Sequence, residues 1–232
     1  MKAGRLGRGA LIALAAAMWA AFVIGTCALT LTLPVYTSAA EQALGVPATA
    51  GLSLADVLKL SAQVRTLVAD AEYDPLPSTW RGQPAFDAAA VSHLLDVRAV
   101  LSAVRLATGV AALLLALLVA YTVGRRRLDL LWPSMRWGAV VIAGVVLLAA
   151  IAAFTDFETF FAAFHSLFFK AGTWTFAFDS LLIRLFPERF WAASGAIWAG
   201  MSLAGAGLLA AAGHLLRAAV STVSASRTPE HV

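Results

Sequence analysis

Two histidines stand in surroundings that could support chemistry: His93 in "VSHLLDVRAVL" and His165 in "FHSLFFKAGTWTFAFD". Imidazole titrates closest to neutrality of all side chains, so a pair of them can take up and return a proton at physiological pH. Asp96 follows His93 by three residues, a helical spacing that sets a carboxylate beside the ring, where it would fix the tautomer and raise the basicity. Glu158 lies seven residues before His165 and offers the same service. Phe154, Phe157, Phe160, Phe161, Phe164 and Phe168 recur at helical spacing, with His165 at the border of the aromatic face they make. Spacing alone also fits two interfacial histidines that hydrogen-bond to headgroups or backbone. His214, beside Arg217, and His231, in a polar tail, read as ordinary surface residues.

Other catalytic signatures are missing. The sequence has no G-x-S-x-G elbow, S-x-x-K, H-E-x-x-H, phosphate-binding loop or dinucleotide fingerprint. Ser92 and Ser166 adjoin the histidines in sequence, and neighbours on a helix do not face one another. A single cysteine, Cys27, leaves no internal disulfide and no cysteine-based metal cluster. It lies within an apolar run and reads as packing. No metal or other cofactor is called for.

The elements that must hold the histidines are written in the charge pattern. The chain has 232 residues, 61% of them hydrophobic and 13% charged, against about 25% charged in an average soluble domain. No Asp, Glu, Lys or Arg occurs between Arg8 and Glu41, Arg105 and Arg125, Arg136 and Asp156, or Arg189 and Arg217. Each gap supplies about 19 or more uncharged residues, close to what a membrane-crossing helix needs. The expected fold is an all-α membrane protein with four transmembrane helices at 10–33, 105–124, 137–155 and 191–216. The first apolar run is about twice as long as a signal-peptide core, which marks it as a retained anchor. Spans without ionisable residues argue against a proton-coupled transporter or ion pump.

Lys and Arg placement sets the expected orientation. Lys2, Arg5 and Arg8 in segment 1–9, Arg125, Arg126, Arg127 and Arg136 in loop 125–136, and Arg217 and Arg227 in tail 217–232 mark the cytoplasmic side. Segments 34–104 and 156–190 carry most of the acids and face outward, so the extracytoplasmic domain is built from 34–105 and 155–191. The net charge of +4 is thereby a topogenic signal; nothing suggests a nucleic-acid partner. Within the outer segment, 51–70 reads as an amphipathic helix and "YDPLPSTWRGQP" as a loop. Residues 86–124 read as one helix of about 38 residues, roughly 57 Å at 1.5 Å per residue. Its first turns, His93 included, then stand in or above the outer interface.

The order and spacing of "PVYT" (34–37), "VSHLLDVRAVL" (91–101) and "FHSLFFKAGTWTF…DSLLIRLFPERF" (164–190), with four spans, resemble the Lit family of lipoprotein intramolecular transacylases. The stretch "WTFAFDSLLI" is shorter than the family's usual Trp-x-Phe-Asp-Pro…Asp run, a departure that touches Asp179 rather than His165. The resemblance implies an acyltransferase of the bacterial cytoplasmic membrane, with diacylated lipoprotein as substrate and membrane lipids as surroundings. It moves the sn-2 acyl chain of the diacylglyceryl-cysteine to that cysteine's own α-amino group. It further implies His93 and His165 as catalytic residues, Tyr36, Arg98 and Trp174 as substrate-binding residues, and Asp96 and Asp179 in support. Two rivals from other classes stand beside it. One is a haem-binding bundle with both histidines as axial ligands. The other is a non-enzymatic four-span scaffold whose 34–105 segment docks a partner.

Overall fold

The computed structural model describes the backbone of residues 2–225 and the side chains of residues 7–222. His231 and Arg227, and the side chains of Lys2 and Arg5, lie outside the described residues. Four helices are long and apolar enough to cross a membrane. They are α1 (Lys2–Thr30), α5 (Ala88–Gly124), α6 (Leu128–Thr155) and α9 (Glu188–Ala225). Between them lie α2 (Pro34–Ala43), α3 (Val46–Ala50), α4 (Leu54–Ala69), a hairpin of β1 (Thr79–Trp80) and β2 (Gln83–Pro84), α7 (Phe157–Ser166) and α8 (Leu181–Leu185). The protein is a multi-pass, all-α membrane protein in which β structure is confined to that hairpin among the described residues. The chain divides into two compact units, 1–27 with 106–149 and 199–232, and 28–105 with 150–198.

The first unit packs through small residues. A Cβ on Gly138 of α6 would meet Trp19 Cβ of α1 at 2.8 Å, and one on Gly205 of α9 would meet Val23 Cγ1 at 2.7 Å. Gly25 of α1 lies equally tight against the Thr108 hydroxyl of α5. Apolar spans gain little from burial against one another in lipid, so close backbone approach supplies van der Waals contact instead.

The second unit has its own hydrophobic core. Val57, Leu60, Val64 and Leu67 of α4 pack with Val46 and Ala50 of α3, Leu94 of α5, Leu185 of α8 and Phe190 of α9. Helix α4 starts where the Ser53 side chain accepts the Asp56 N–H at 3.2 Å. The Asp56 carboxylate in turn holds Arg81 at 2.9 Å. Arg81 and Gly82 form the two-residue turn of the hairpin, with φ of 50° and 78°, the left-handed pair that suits a tight hairpin turn. The segment expected as a plain loop is thus ordered by a turn and an ion pair.

At its other end α4 is closed by arginines of α5. Arg98 donates to the carbonyls of Leu67 at 2.5 Å and Ala71 at 3.1 Å, and Arg105 to that of Ala69 at 2.5 Å. Cations at a helix C-terminus satisfy orphan carbonyls and oppose the negative end of the helix dipole. The Arg98 guanidinium also lies 4.7 Å from the Tyr73 ring centroid. Residues 86–124 were expected as one helix, and α5 is uninterrupted over 88–124. The aromatic run of 154–168 was also expected as one helical face, and here the structure differs. Asp156 caps a new helix by accepting the Thr159 N–H at 3.0 Å, leaving Phe154 in α6 and Phe168 beyond α7.

Between α2 and α4 lies the fully buried carboxyl of Glu41, with no hydrogen-bond partner at either oxygen. Burial raises its pKa to about 7, and the neighbouring Ser61 hydroxyl offsets only part of that rise.

Two predictions follow from this packing. Gly138→Leu and Gly205→Leu must displace a neighbouring helix and should each destabilise the detergent-solubilised protein by roughly 1–3 kcal/mol in unfolding titrations. Because the folded Glu41 carboxyl binds its proton more tightly than the unfolded one, its contribution is full at acid pH. It is then lost as pH rises from the ordinary carboxyl range through about 7. Compared at each pH, the parent's thermal midpoint should lose ground to that of Glu41→Gln between pH 5 and pH 8, a difference in which the other titrating groups cancel.

A candidate active site of paired histidines

His93 projects from the first turns of α5 and His165 from the last turn of α7, both within the second unit. The chain brings together two rings that are 72 positions apart, with centroids 6.2 Å apart and planes within 27°. Phe169 bridges them, 4.9 Å from His93 and 5.6 Å from His165. Phe176 flanks His93 at 5.5 Å, and Trp174 flanks His165 at 4.8 Å. Helix α7 and the segment after it supply all of these rings except His93 itself, so docking this one stretch against α5 assembles the cluster.

His165 has a fixed tautomer. Its Nδ1 lies 2.9 Å from the Phe161 carbonyl oxygen one turn earlier. A carbonyl can only accept, so the neutral ring carries its proton on Nδ1 and presents a free lone pair on Nε2. Phe161 also stacks on the ring at 4.0 Å. The partner that orients this imidazole is thus a backbone carbonyl of its own helix, where the sequence pointed to Glu158. His93 is buried at 8% exposure and its Nδ1 has no hydrogen-bond partner. Asp96 is exposed and makes no hydrogen bond to that nitrogen; it acts on the ring only through space.

Electrostatics keep both rings neutral. Burial pushes His93 below the ordinary imidazole pKa, the nearby His165 lowers it further, and the Asp96 charge opposes them. Burial likewise lowers His165, against the opposing hydrogen bond to Phe161. Desolvation outweighs both carboxylate and carbonyl, so the pair is poised to accept a proton and resists holding two.

The other residues singled out in the sequence divide. Trp174 joins the cluster, and its buried indole N–H has no acceptor among the described residues. Tyr36 pairs its hydroxyl with Ser194 Oγ at 2.6 Å and packs edge-on against Phe190. Arg98 closes α4, with its two terminal nitrogens on the Leu67 and Ala71 carbonyls. Asp179 is exposed. Phe169 and Phe176 were passed over as site residues, although both lie in the stretch that carries His165 and Trp174. Among the described residues no group of three His, Cys, Asp or Glu side chains could hold a metal ion.

Fold and site together define an integral membrane protein with four apolar helices and an aromatic-walled histidine pair. The sequence matches the family model of the lipoprotein intramolecular transacylase Lit over residues 11–191, and the chain belongs to that family. The in meso structure of the membrane integral Lit from Bacillus cereus superposes with a TM-score of 0.78 at 18% identity, covering 94% of this chain and 99% of that one. A form of the same protein with a histidine changed to alanine gives 0.73 at 18% identity over 96% of this chain and 100% of that one. At these identities the likeness speaks for the fold. An uncharacterized protein of Aquifex aeolicus is 33% identical over 55 residues, and this chain matches about a quarter of that relative's length, 26%.

Titration of labelled histidines by NMR should place both midpoints below the ordinary value near 6.5. In His165→Ala the His93 midpoint should move up, because one of the two influences that lower it is removed. An unchanged or lower His93 midpoint would show that the rings do not sense each other.

Proposed function

We propose that this chain transfers the sn-2 acyl chain of a lipoprotein's diacylglyceryl-cysteine to the α-amino group of the same cysteine, with His93 and His165 moving the protons. Family membership supports the reaction class. The observation that carries the assignment is the approach of the two imidazoles to 6.2 Å within a half-buried aromatic cluster.

The reaction needs an amine nucleophile, a base, an oxyanion donor and an acid for the departing glyceryl oxygen. An α-amino group has a pKa near 8, so about a tenth is already neutral at pH 7. Its nitrogen attacks the ester carbonyl carbon; a C–N bond forms and the carbonyl becomes an oxyanion. His165 Nε2, held free by the Nδ1–H bond to Phe161, accepts the proton released by the amine. The unpartnered indole N–H of Trp174 donates to the oxyanion. Collapse breaks the C–O bond to the glyceryl sn-2 oxygen, and the proton held by His165 goes to that oxygen, either directly or after passing to His93, which then delivers it. Protons balance and the pair ends as it began. Acid–base assistance of this kind contributes about 10²–10⁴ in rate. Nucleophile and ester belong to one substrate, so its folded conformation supplies proximity. No protein nucleophile is required.

The orientation follows the charge pattern: both termini cytoplasmic, and the site on the extracytoplasmic side. Exposed aromatic and aliphatic side chains near the pair, Phe164, Leu167 and Phe168, would seat acyl chains in the interfacial layer.

The test is direct. Detergent-purified protein is incubated with a synthetic diacylglyceryl-cysteine lipopeptide and the acyl position followed by mass spectrometry. The parent should yield N-acylated lyso product, and His93→Ala and His165→Ala should each lose about 10² or more in rate. Activity should fall as pH drops below the imidazole range, because the neutral base is the working form. Product from all three proteins would retain the transacylase and remove the two-histidine mechanism. No product from the folded parent would favour the scaffold.

A further inference from the structure

A second polar site lies away from the histidine pair, between α2 and α4. A cavity of about 260 Å³ is lined by residues of these two helices, among them Thr37, Ser38, Glu41, Ser61 and Arg65, with Pro34 and Val35 at its exposed rim. Glu41 is fully buried and Ser61 is 1% exposed; the Ser61 hydroxyl lies close enough to favour the ionised carboxylate, yet no well-formed hydrogen bond reaches either Glu41 oxygen or Ser61 Oγ from the described residues. Buried acceptors of this kind are ordinarily satisfied, and leaving them unpaired is costly.

The charge facing the cavity belongs to Glu41. Arg65 also lines it; its charge is balanced by Asp70, held by its two terminal nitrogens at 2.9 and 2.8 Å, while its buried Nε–H is unpaired among the described residues. Helix α2 carries no other charged residue, α3 carries none, and Arg65 is the only charged residue of α4 that lines the cavity. One carboxylate and a hydroxyl make a poor divalent-cation site, which draws on several oxygen ligands. They match the three N–H donors of a primary ammonium: two carboxylate oxygens and one serine oxygen, joined by charge-assisted hydrogen bonds. The cavity is large enough to take an ethanolamine-sized group. Its rim begins at Pro34, directly after the apolar run that ends at Leu33, which is headgroup depth along the sequence.

We infer that the Glu41–Ser61 cavity binds the primary ammonium of an ethanolamine-type phospholipid headgroup. The site is independent of the proposed acyl transfer and stands or falls without turnover. Occupation favours the ionised carboxylate, so binding strengthens as pH rises through about 7, where Glu41 loses its proton.

The experiment uses the full chain in detergent, with native mass spectrometry or thermal-shift titration against dihexanoyl phosphatidylethanolamine. Phosphatidylcholine of the same chain length serves as the matched probe, since its trimethylammonium has no N–H to donate. At pH 8 the ethanolamine lipid should bind about tenfold more tightly than the choline lipid, the difference one or two charge-assisted hydrogen bonds make. Glu41→Gln should erase that preference, Ser61→Ala should weaken it, and His165→Ala should leave it intact. Glu41→Gln should at least match the parent's thermal midpoint at pH 8, which excludes misfolding as the cause. Equal binding of the two lipids, or a preference that survives Glu41→Gln, would overturn the site. A non-acylated peptide with a free N-terminus forms the last arm. If it displaces the ethanolamine lipid while its N-acetylated form does not, the amine comes from peptide and the lipid assignment is overturned.

Discussion

The second unit depends on how α5 is fixed to the end of α4. Three backbone carbonyls, of Leu67, Ala69 and Ala71, receive guanidinium donors from Arg98 and Arg105. Left unmet, each such group costs roughly 1–3 kcal/mol when buried, so the clamp is both a cap and a register lock. Arg98 and Arg105 are seven positions apart and share one face of α5, about 20° from alignment at 100° per residue. His93 lies roughly 120–140° around the helix from them. The face that grips α4 therefore determines which face is left for His93, and that remaining face meets Phe169, Phe176 and His165. Arg98, which the resemblance gave as a substrate-binding residue, also sets the rotation of the helix that carries a histidine.

The sequence made some of this legible because the signal was periodic or long. Charge-free stretches mark the four spans, and the absence of proline and of any strong breaker marks α5 as one helix. The histidines stand out because an ionisable ring among phenylalanines is unusual. Local cues that compete with periodicity were harder to weigh. Six phenylalanines at helical spacing suggested one helix, yet Asp156 followed three residues later by Thr159 is an N-cap signal, and it won. The Arg81-Gly82 turn lay in a proline-rich stretch that read as loop. Helices α2 and α3, though Pro34 stands at a first helical turn, had no apolar stripe long enough to announce them. The orienting partner of His165 was invisible for a different reason: a backbone carbonyl has no residue type, so no pattern of carboxylates could point to Phe161. Arginine clamps share this difficulty, because a guanidinium at a membrane edge reads as a topogenic charge.

Burial acts on the second unit's ionisable groups with one consistent effect. It raises the carboxyl of Glu41 and lowers the imidazoles of His93 and His165, and in each case the neutral form gains. Unlike the ion-paired Asp56 and Arg65, these three groups have no ion-pair partner among the described residues, so an arriving charge is felt strongly. For the histidine pair this favours a single mobile proton: one ring can be protonated as an amine is deprotonated, and the burial that disfavours an imidazolium urges that proton onward to a leaving oxygen. For Glu41 the same physics has the opposite polarity, since an entering ammonium supplies the countercharge that water no longer does. The aromatic walls around the pair also explain why a histidine sits among so many rings. Phe161, Phe169, Phe176 and Trp174 exclude water from two bases without providing an acid–base group to compete with them. A carboxylate in place of any one of these rings would stabilise the imidazolium and hold the proton that the reaction has to pass on.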